Sequence, residues 1–177
     1  TADENIDFLF SIGGDGTLLK AVTYVRESNI PILGINTGRL GFISSISTDQ
    51  IEVAVNNVLN GNYKLRSRTM LSLDTENNLF GTTNFALNEV AIVKKDTSSM
   101  VRIDAYVDGE FLNSYWADGL LISTPTGSTG YSLSCGGPII MPGTENIIIA
   151  PIAPHNLNVR PIIVNEKSVI KLKVEDR

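Results

Sequence analysis

The sequence has few of the residues that build covalent and metal frameworks. Among its 177 residues there is one cysteine, Cys135, and one histidine, His155. A disulfide within the chain is therefore excluded, and a zinc site made of cysteine and histidine is not expected. Such cysteine usage is typical of a reducing compartment, so we expect a cytoplasmic protein with Cys135 as a small buried residue.

Positive charge and long apolar runs are also scarce. The 14 Lys and Arg residues are outnumbered by 19 Asp and Glu residues, which gives a formal net charge of -5. A broad basic surface is therefore not expected, and no apolar stretch approaches the length of a membrane helix. We expect a soluble protein without nucleic-acid or membrane partners, in which any phosphate site is built locally.

A glycine-rich turn, Gly-Gly-Asp-Gly-Thr at residues 13–17, lies between an apolar run and a helical pattern. Glycines let backbone N–H groups approach an anion, and the positive end of the following helix favours one. A carboxylate is repelled by a phosphate, so Asp15 is better explained as a group that takes or orients a proton during phosphoryl transfer to a hydroxyl. The alternative is that Asp15 only caps the helix.

Lys20 follows this turn by five residues. A cation one turn into a helix is electrostatically disfavoured unless an anion joins it, which indicates a phosphate nearby. The alternative is an ordinary solvated lysine on the helix surface.

The first sixty residues alternate between strand and helix signals. Residues 8–12 predict a strand, apolar residues at helical spacing predict a helix to about residue 28, and residues 30–35 predict a second strand. Residues 48–59 place apolar side chains on one helical face. We therefore predict a partial α/β domain over residues 1–62.

From residue 63 onward strand signals replace the helical period. The clearest feature is a hairpin in which Asp108-Gly109 joins two alternating strands. Residues 162–164 and 170–174 are expected to form another pair. We predict a mostly β domain over residues 63–177, incomplete at its C-terminal end. The other predicted strands cover residues 69–73, 83–93, 101–107, 110–116 and 120–124.

Two further segments carry polar groups where a scaffold does not need them. Residues 118–138 are crowded with glycine, serine and threonine, which combine close backbone approach with many short hydrogen-bonding side chains. Asn88-Glu89 interrupts an apolar strand, where two polar residues are costly unless they are satisfied. A glutamate there can accept hydrogen bonds from ribose hydroxyls, although both residues can serve one ligand only at a bulge, a strand end or through the backbone.

Taken together, these segments resemble the NAD kinase family. The resemblance covers nearly the whole chain, and its segments stand in the family's order: residues 13–17, residues 34–42 (Gly-Ile-Asn-Thr-Gly-Arg-Leu-Gly-Phe), Asn88-Glu89, residues 118–138, and residues 154–157 (Pro-His-Asn-Leu). Gly-Gly-Asp-Gly alone is shared with lipid kinases and phosphofructokinases. The long Thr-Pro-Thr-Gly-Ser-Thr segment with Asn-Glu upstream is far more specific.

The resemblance implies an α/β segment followed by a β-sandwich type second domain. It also implies transfer of the γ-phosphoryl group of ATP, or of polyphosphate, to the 2′-hydroxyl of the adenosine ribose of NAD. Mg²⁺ or another divalent cation would arrive with ATP and no metal would be held by a dedicated cage. The family usually forms homodimers or homotetramers.

By the same resemblance, Asp15 would be the proton acceptor, and Asn88 and Glu89 would hold the ribose and adenine side. Asp118 would contact the nicotinamide end. Phosphate contacts are implied for Gly14, Gly16 and Thr17, with Lys20 nearby; the dinucleotide pocket for Thr129, Gly130, Tyr131, Ser132, Leu133 and Ser134; and pocket walls for Phe42, Ala153 and His155.

Three residues depart from the family's pattern. Gly130 stands where the family commonly has alanine, and Ser99 and Trp116 stand where many members have a basic or imidazole side chain. Two other functions remain open at this point: a non-catalytic NAD(P) sensor on the same scaffold and a lipid kinase. Asp15 argues against the sensor, because a sensor needs no acid at the phosphate turn. The lipid kinase would need a membrane-binding segment, which this sequence does not contain.

Overall fold

The computed structural model describes residues 6–38, 41–44, 46–95 and 99–175. The chain divides into two compact units, Thr1–Ser67 and Arg68–Arg177. Within the described ranges, no helix is long and apolar enough to cross a membrane.

The first unit is built on a parallel sheet of β1 (Leu9–Ile12), β2 (Ile32–Asn36) and β3 (Ile46–Ser47), in that order. Helix α1 (Asp15–Val25) connects β1 to β2 and buries Leu18, Ala21 and Val25. A 3-10 turn, Thr48–Gln50, leads into α2 (Ile51–Leu59). The predicted α/β segment is confirmed, with β3 added to the two predicted strands.

Helix α1 ends three residues earlier than the pattern predicts. Its last residue is Val25, and the following Arg26 has a φ of 51°. The φ of 51° and ψ of -127° of Arg26 lie outside the helical region, so the helical repeat stops at Val25. Apolar spacing alone does not reveal this change of backbone direction.

The second unit contains two larger antiparallel sheets and a small one. In one sheet the order is β11-β10-β9-β6, in another β12-β7-β8, and β4 pairs with β5. The strands are β4 (Leu71–Ser72), β5 (Phe85–Ala86), β6 (Glu89–Val93), β7 (Val101–Val107), β8 (Glu110–Ala117), β9 (Gly119–Ser123), β10 (Asn146–Ile152), β11 (Ile162–Asn165) and β12 (Ile170–Glu175).

The two larger sheets pack face to face around one core. Ile103 and Tyr115 of the three-stranded sheet meet Leu120, Ile122 and further residues of the four-stranded sheet, all of them buried. The hairpin at Asp108-Gly109 is confirmed, with both residues at positive φ (52° and 89°) as a type I′ turn requires. A mostly β, sandwich-type second half is therefore confirmed.

Two strand predictions in this unit are wrong. Residues 83–93 form two strands, β5 and β6, separated by a bend at Leu87 and Asn88. The expected pairing of 162–164 with 170–174 does not occur: β11 pairs with β10, and β12 pairs with β7 in the other sheet. The short polar turn between them passes from one sheet to the other, and its sequence does not distinguish that path from a hairpin.

In the second unit, the strand that the sequence analysis did not identify is β10, which lies between β9 and β11. Its residues from Ile147 onward are all buried, as is every residue of β9. Leu121, Ile148 and Ala150 point away from the sandwich core and pack under the segment that contains Cys135 and Ile140. The four-stranded sheet is thus covered on both faces, and this explains its near-continuous apolar strands.

Candidate active site

Asp15 is the first residue of α1, and its side chain contacts the loop at 41–44. Its Oδ2 accepts a hydrogen bond from the Phe42 N–H (2.8 Å), and its Oδ1 accepts from the Ile43 N–H (3.2 Å) and the Ser44 N–H (3.0 Å). The helix N-cap is Gly14, and none of the described side chains caps the helix by a hydrogen bond. The interpretation of Asp15 as a simple helix cap is therefore wrong.

The neighbours of Asp15 in the predicted phosphate site are open to solvent. They follow the carboxyl end of β1, where ligands of parallel α/β sheets bind. Phe42 is 72% exposed, so the structure places an accessible aromatic ring on the loop that binds Asp15. The exposed residues at the start of α1 are Gly14, Gly16, Thr17 and Lys20.

Asn88 and Glu89 lie at the bend between β5 and β6, so they occupy a strand end. Asn88 Oδ1 and Glu89 Oε2 are buried and have no hydrogen-bond partner among the described residues. Both side chains reach Gly130: a Cβ there would lie 3.3 Å from Glu89 Oε2 and 3.8 Å from Asn88 Nδ2. Two buried acceptors beside a residue without a side chain indicate room for a polar ligand that donates hydrogen bonds.

Burial also changes the protonation of this site. It raises the pKa of the Glu89 carboxyl above its ordinary value. Burial, and to a lesser degree the negative charge of Glu89, raises the pKa of the Cys135 thiol. Cys135 is half-buried and borders the site, and its thiol is not activated as a nucleophile.

Within the polar segment 118–138, the residues predicted to line the pocket fold into a 3-10 turn, Thr126–Thr129, followed by the short helix α3 (Tyr131–Ser134). Several of its hydroxyls hold the backbone: Thr124 Oγ1 donates to the Leu87 carbonyl (2.5 Å), and Ser128 Oγ accepts from the Ile140 N–H (3.0 Å). Ser132 is fully buried, and its Oγ has no hydrogen-bond partner among the described residues. Thr129 is half-buried, and Tyr131, Leu133 and Ser134 are exposed.

Asp118 lies away from this ligand site. In the pairing of β6 with β9, Glu89 is opposite Ser123 and Val93 is opposite Gly119, so Asp118 follows the far end of the pair. At roughly 3.4 Å per residue, the two ends are separated by about 14 Å. The structure therefore does not bring Asp118 to Asn88 and Glu89 within one chain.

Ala153 and His155 lie at the same far end as Asp118. Ile152 is opposite Gly119, Ala153 follows with a φ of 44°, and the His155 N–H donates to the Trp116 carbonyl (2.8 Å). A non-glycine residue at such a φ is uncommon and costs of order 1 kcal/mol or more. The predicted residues of the second unit thus form two groups, one at each end of β9.

Comparisons with known proteins identify the family of this chain. Residues 1–63 match the family model described as the ATP-NAD kinase N-terminal domain, and residues 87–177 match the ATP-NAD kinase C-terminal domain. The chain belongs to the ATP-NAD kinase family. The NAD kinases of Cytophaga hutchinsonii and Flavobacterium johnsoniae are 57% and 51% identical to it, over 97% and 99% of this chain.

Solved structures of the family share its fold. A crystal structure of yeast NADH kinase complexed with NADH matches with a TM-score of 0.84 and 32% identity, over 95% of this chain and 50% of that one. An NAD kinase from Archaeoglobus fulgidus in complex with ATP matches with a TM-score of 0.85 and 32% identity, over 97% and 66%. The chain spans 59% and 60% of the length of the two bacterial relatives.

Two residues at these sites, Lys94 and Asn36, were not identified from the sequence. Lys94 Nζ lies 2.6 Å from Asp118 Oδ1, and the backbone N–H of Lys94 donates to the Asp118 carbonyl (2.9 Å). Asn36 accepts a hydrogen bond from the Gly38 N–H and donates to the carbonyl of Ser44, the last residue of the loop that contacts Asp15. An asparagine two residues before glycine at a strand end is a turn signal that could have identified Asn36, whereas nothing in the sequence pairs Lys94 with Asp118.

Proposed function

We propose that the protein is an NAD kinase, which transfers the γ-phosphoryl group of ATP, or of polyphosphate, to the 2′-hydroxyl of the adenosine ribose of NAD and forms NADP. The observation that carries the proposal is the pair of buried, unpartnered oxygens on Asn88 and Glu89 beside Gly130. Ribose hydroxyls would donate to these oxygens. Neither a non-catalytic sensor nor a lipid kinase receives support from the comparisons.

In the proposed reaction, Asp15 accepts the proton of the 2′-hydroxyl as it attacks the γ-phosphorus. The bond from that phosphorus to the leaving oxygen of ATP breaks, so ADP and NADP are the products. The start of α1 offers N–H groups to the phosphates. The proposed phosphate contacts are Gly14, Gly16, Thr17 and Lys20.

The second unit would hold the dinucleotide. Asn88 and Glu89 bind the ribose and adenine side, and the turn with α3 lines the pocket. Phe42 is proposed as a wall of a nucleotide pocket. The lining residues proposed are Thr129, Gly130, Tyr131, Ser132, Leu133 and Ser134.

A divalent cation, Mg²⁺ in our proposal, would be carried by the phosphates of ATP. No group of three or more His, Cys, Asp or Glu side chains that could hold a metal lies together in the part of the chain that the structure describes. Phosphate oxygens suit this cation, which supplies charge neutralisation on the transferred group. We propose no metal ligand from this chain.

Asp118, Ala153 and His155 are proposed to contact the nicotinamide end and the pocket wall of a dinucleotide held by a second copy of the chain. Their position at the far end of β9 from Glu89 supports this arrangement. It requires a homodimer or a homotetramer.

The native-length protein tests the proposal. With NAD and Mg-ATP it should form NADP, measured with an NADP-specific dehydrogenase. Asp15→Asn should lower this rate by at least about 1,000-fold and leave NAD affinity within about 3-fold, because the amide keeps the shape of the side chain and loses the base. Near-native turnover by the variant would remove Asp15 from the chemistry. NAD binding without turnover on ATP or polyphosphate would indicate the sensor.

A further inference from the structure

We propose that the loop at residues 41–44 is the positioning element of Asp15, and that Gly41 is the residue that makes this possible. The inference rests on the proposed function, in which Asp15 accepts a proton. It further identifies the carboxylate oxygen that takes that proton and the backbone groups that hold the carboxylate in place. All the contacts that carry it lie within the first unit.

Three consecutive backbone N–H groups converge on the carboxylate of Asp15. They belong to Phe42, Ile43 and Ser44, at N···O distances of 2.8, 3.2 and 3.0 Å. Donors from consecutive residues hold an anionic group without requiring any particular side chain. Together they fix the orientation of the Asp15 side chain.

The hydrogen bonds are distributed unequally between the two oxygens. An ionised carboxylate has about four acceptor positions, two on each oxygen. Among the described residues, Oδ1 accepts two bonds, from Ile43 and Ser44, and Oδ2 accepts one, from Phe42. Oδ2 thus keeps one acceptor position, and the geometry points to this oxygen as the one that receives the substrate proton.

Gly41 allows the loop to approach this closely. The three nearest atoms to a Cβ at position 41 would be the two oxygens and the Cγ of Asp15, with Oδ2 at 2.7 Å. The obstacle to a side chain at position 41 is therefore the Asp15 carboxylate.

Asn36 also holds the loop by hydrogen bonds. It is the last residue of β2 and is 3% exposed. Its Oδ1 accepts a hydrogen bond from the Gly38 N–H (2.8 Å), and its Nδ2 donates to the Ser44 carbonyl (3.4 Å). One buried side chain thus binds Gly38, three residues before Gly41, and Ser44, the last residue of the loop. The N–H groups are directed at the carboxylate before any substrate arrives.

The decisive experiment compares Gly41→Ala with Gly38→Ala in the native-length protein. The added methyl at 41 should displace the carboxylate, so we expect kcat to fall about 100-fold while KM for NAD stays within about 3-fold. A Cβ at 38 would lie 3.9 Å from its nearest neighbour, Asn36 Oδ1, an ordinary contact. Gly38→Ala should therefore keep kcat within about 2-fold.

A second measurement does not depend on turnover. In ¹H–¹⁵N spectra, Asp15→Asn should move the amide proton signals of Ile43 and Ser44 upfield, because the amide is a weaker acceptor than the carboxylate. Native kcat in Gly41→Ala, or unchanged amide signals in Asp15→Asn, would overturn the inference. If the wild-type protein forms no NADP, the proposed function fails, and shifted amide signals would still support the positioning of Asp15 by the loop.

A double variant distinguishes a folding defect in Gly41→Ala from displacement of the Asp15 carboxylate. On the Asp15→Ala background the carboxylate that obstructs a methyl at 41 is absent. Gly41→Ala should then leave the urea midpoint of unfolding unchanged. A loss of stability as large as on the wild-type background would show that Gly41 serves the loop itself and would overturn the proposed role.

Discussion

At the scale of single residues, the acidic side chains that the two units contribute, Asp15 in the first and Glu89 in the second, are in opposite situations. Asp15 accepts three backbone hydrogen bonds, whereas Glu89 Oε2 is buried with no partner among the described residues. A satisfied carboxylate is fixed in the free protein, and an unsatisfied one is costly until a ligand donates to it. Asp15 is thus positioned by the protein itself, whereas Glu89 Oε2 lacks a partner that, in the proposed function, a ribose hydroxyl would supply.

Glu89→Gln should change how stability depends on pH. Burial raises the pKa of this carboxyl in the folded protein, so the folded state binds its proton more tightly than the unfolded chain. This contribution is complete below the ordinary value of 4.5 and is lost as the pH rises through the raised pKa. Urea unfolding between about pH 4 and pH 8 should show the wild-type free energy of unfolding falling relative to that of Glu89→Gln.

The same variant should bind NAD more weakly, because an amide offers the ribose hydroxyls only one acceptor oxygen and no charge. Calorimetry measures this directly. A difference in stability that does not change with pH would contradict the burial of the ionised group. Unchanged NAD affinity would contradict the ribose role of Glu89.

At the scale of elements, β9 attaches the turn Thr126–Thr129 to the buried core of the second unit. Its five residues are all buried, because Leu120 and Ile122 enter the sandwich core while Leu121 packs under the segment that follows α3. The turn that borders Asn88 and Glu89 begins directly after this strand. The candidate site is therefore attached to the most completely buried part of the second unit.

Leu120→Ala and Leu121→Ala should both destabilise the protein by about 3 kcal/mol. In a sheet with one solvated face, substitutions at adjacent residues differ sharply in their cost to stability, because only one of the two side chains is buried. Here each leucine is fully buried on its own face. Urea unfolding checks the prediction, with Val174→Ala, half exposed on β12, as a control expected to cost under about 1 kcal/mol. A small cost for Leu121→Ala would contradict the covered outer face.

At the scale of the whole molecule, the two units differ in how much core they contain. The buried apolar side chains of the first unit are, among the residues described, Leu18, Ala21, Val25 and Ile35. The second unit has two buried clusters, one on each face of its four-stranded sheet. Small units with little buried area are marginal on their own.

Residues 68–177 expressed alone should therefore fold, with a single cooperative unfolding transition by circular dichroism and fluorescence of Trp116. Residues 1–67 alone should show no cooperative transition. If both pieces unfold cooperatively, the first unit has more independent stability than its core indicates. Failure of 68–177 to fold would show that its sandwich needs the rest of the chain. The predicted domain boundary after residue 62 stays a prediction.

The sequence by itself determined the local motifs: the glycine turn with Asp15, the hairpin at Asp108-Gly109, and the order of segments that indicates the family. These depend on backbone freedom and short-range periodicity, which neighbouring residues specify. Only the tertiary structure decided that β11 and β12 lie in different sheets. It also decided that loop 41–44 binds Asp15, 27 to 29 residues away in sequence, and that Asp118 lies at the far end of β9. Such contacts depend on which strands pair, and pairing between distant segments leaves little trace in the sequence of either one.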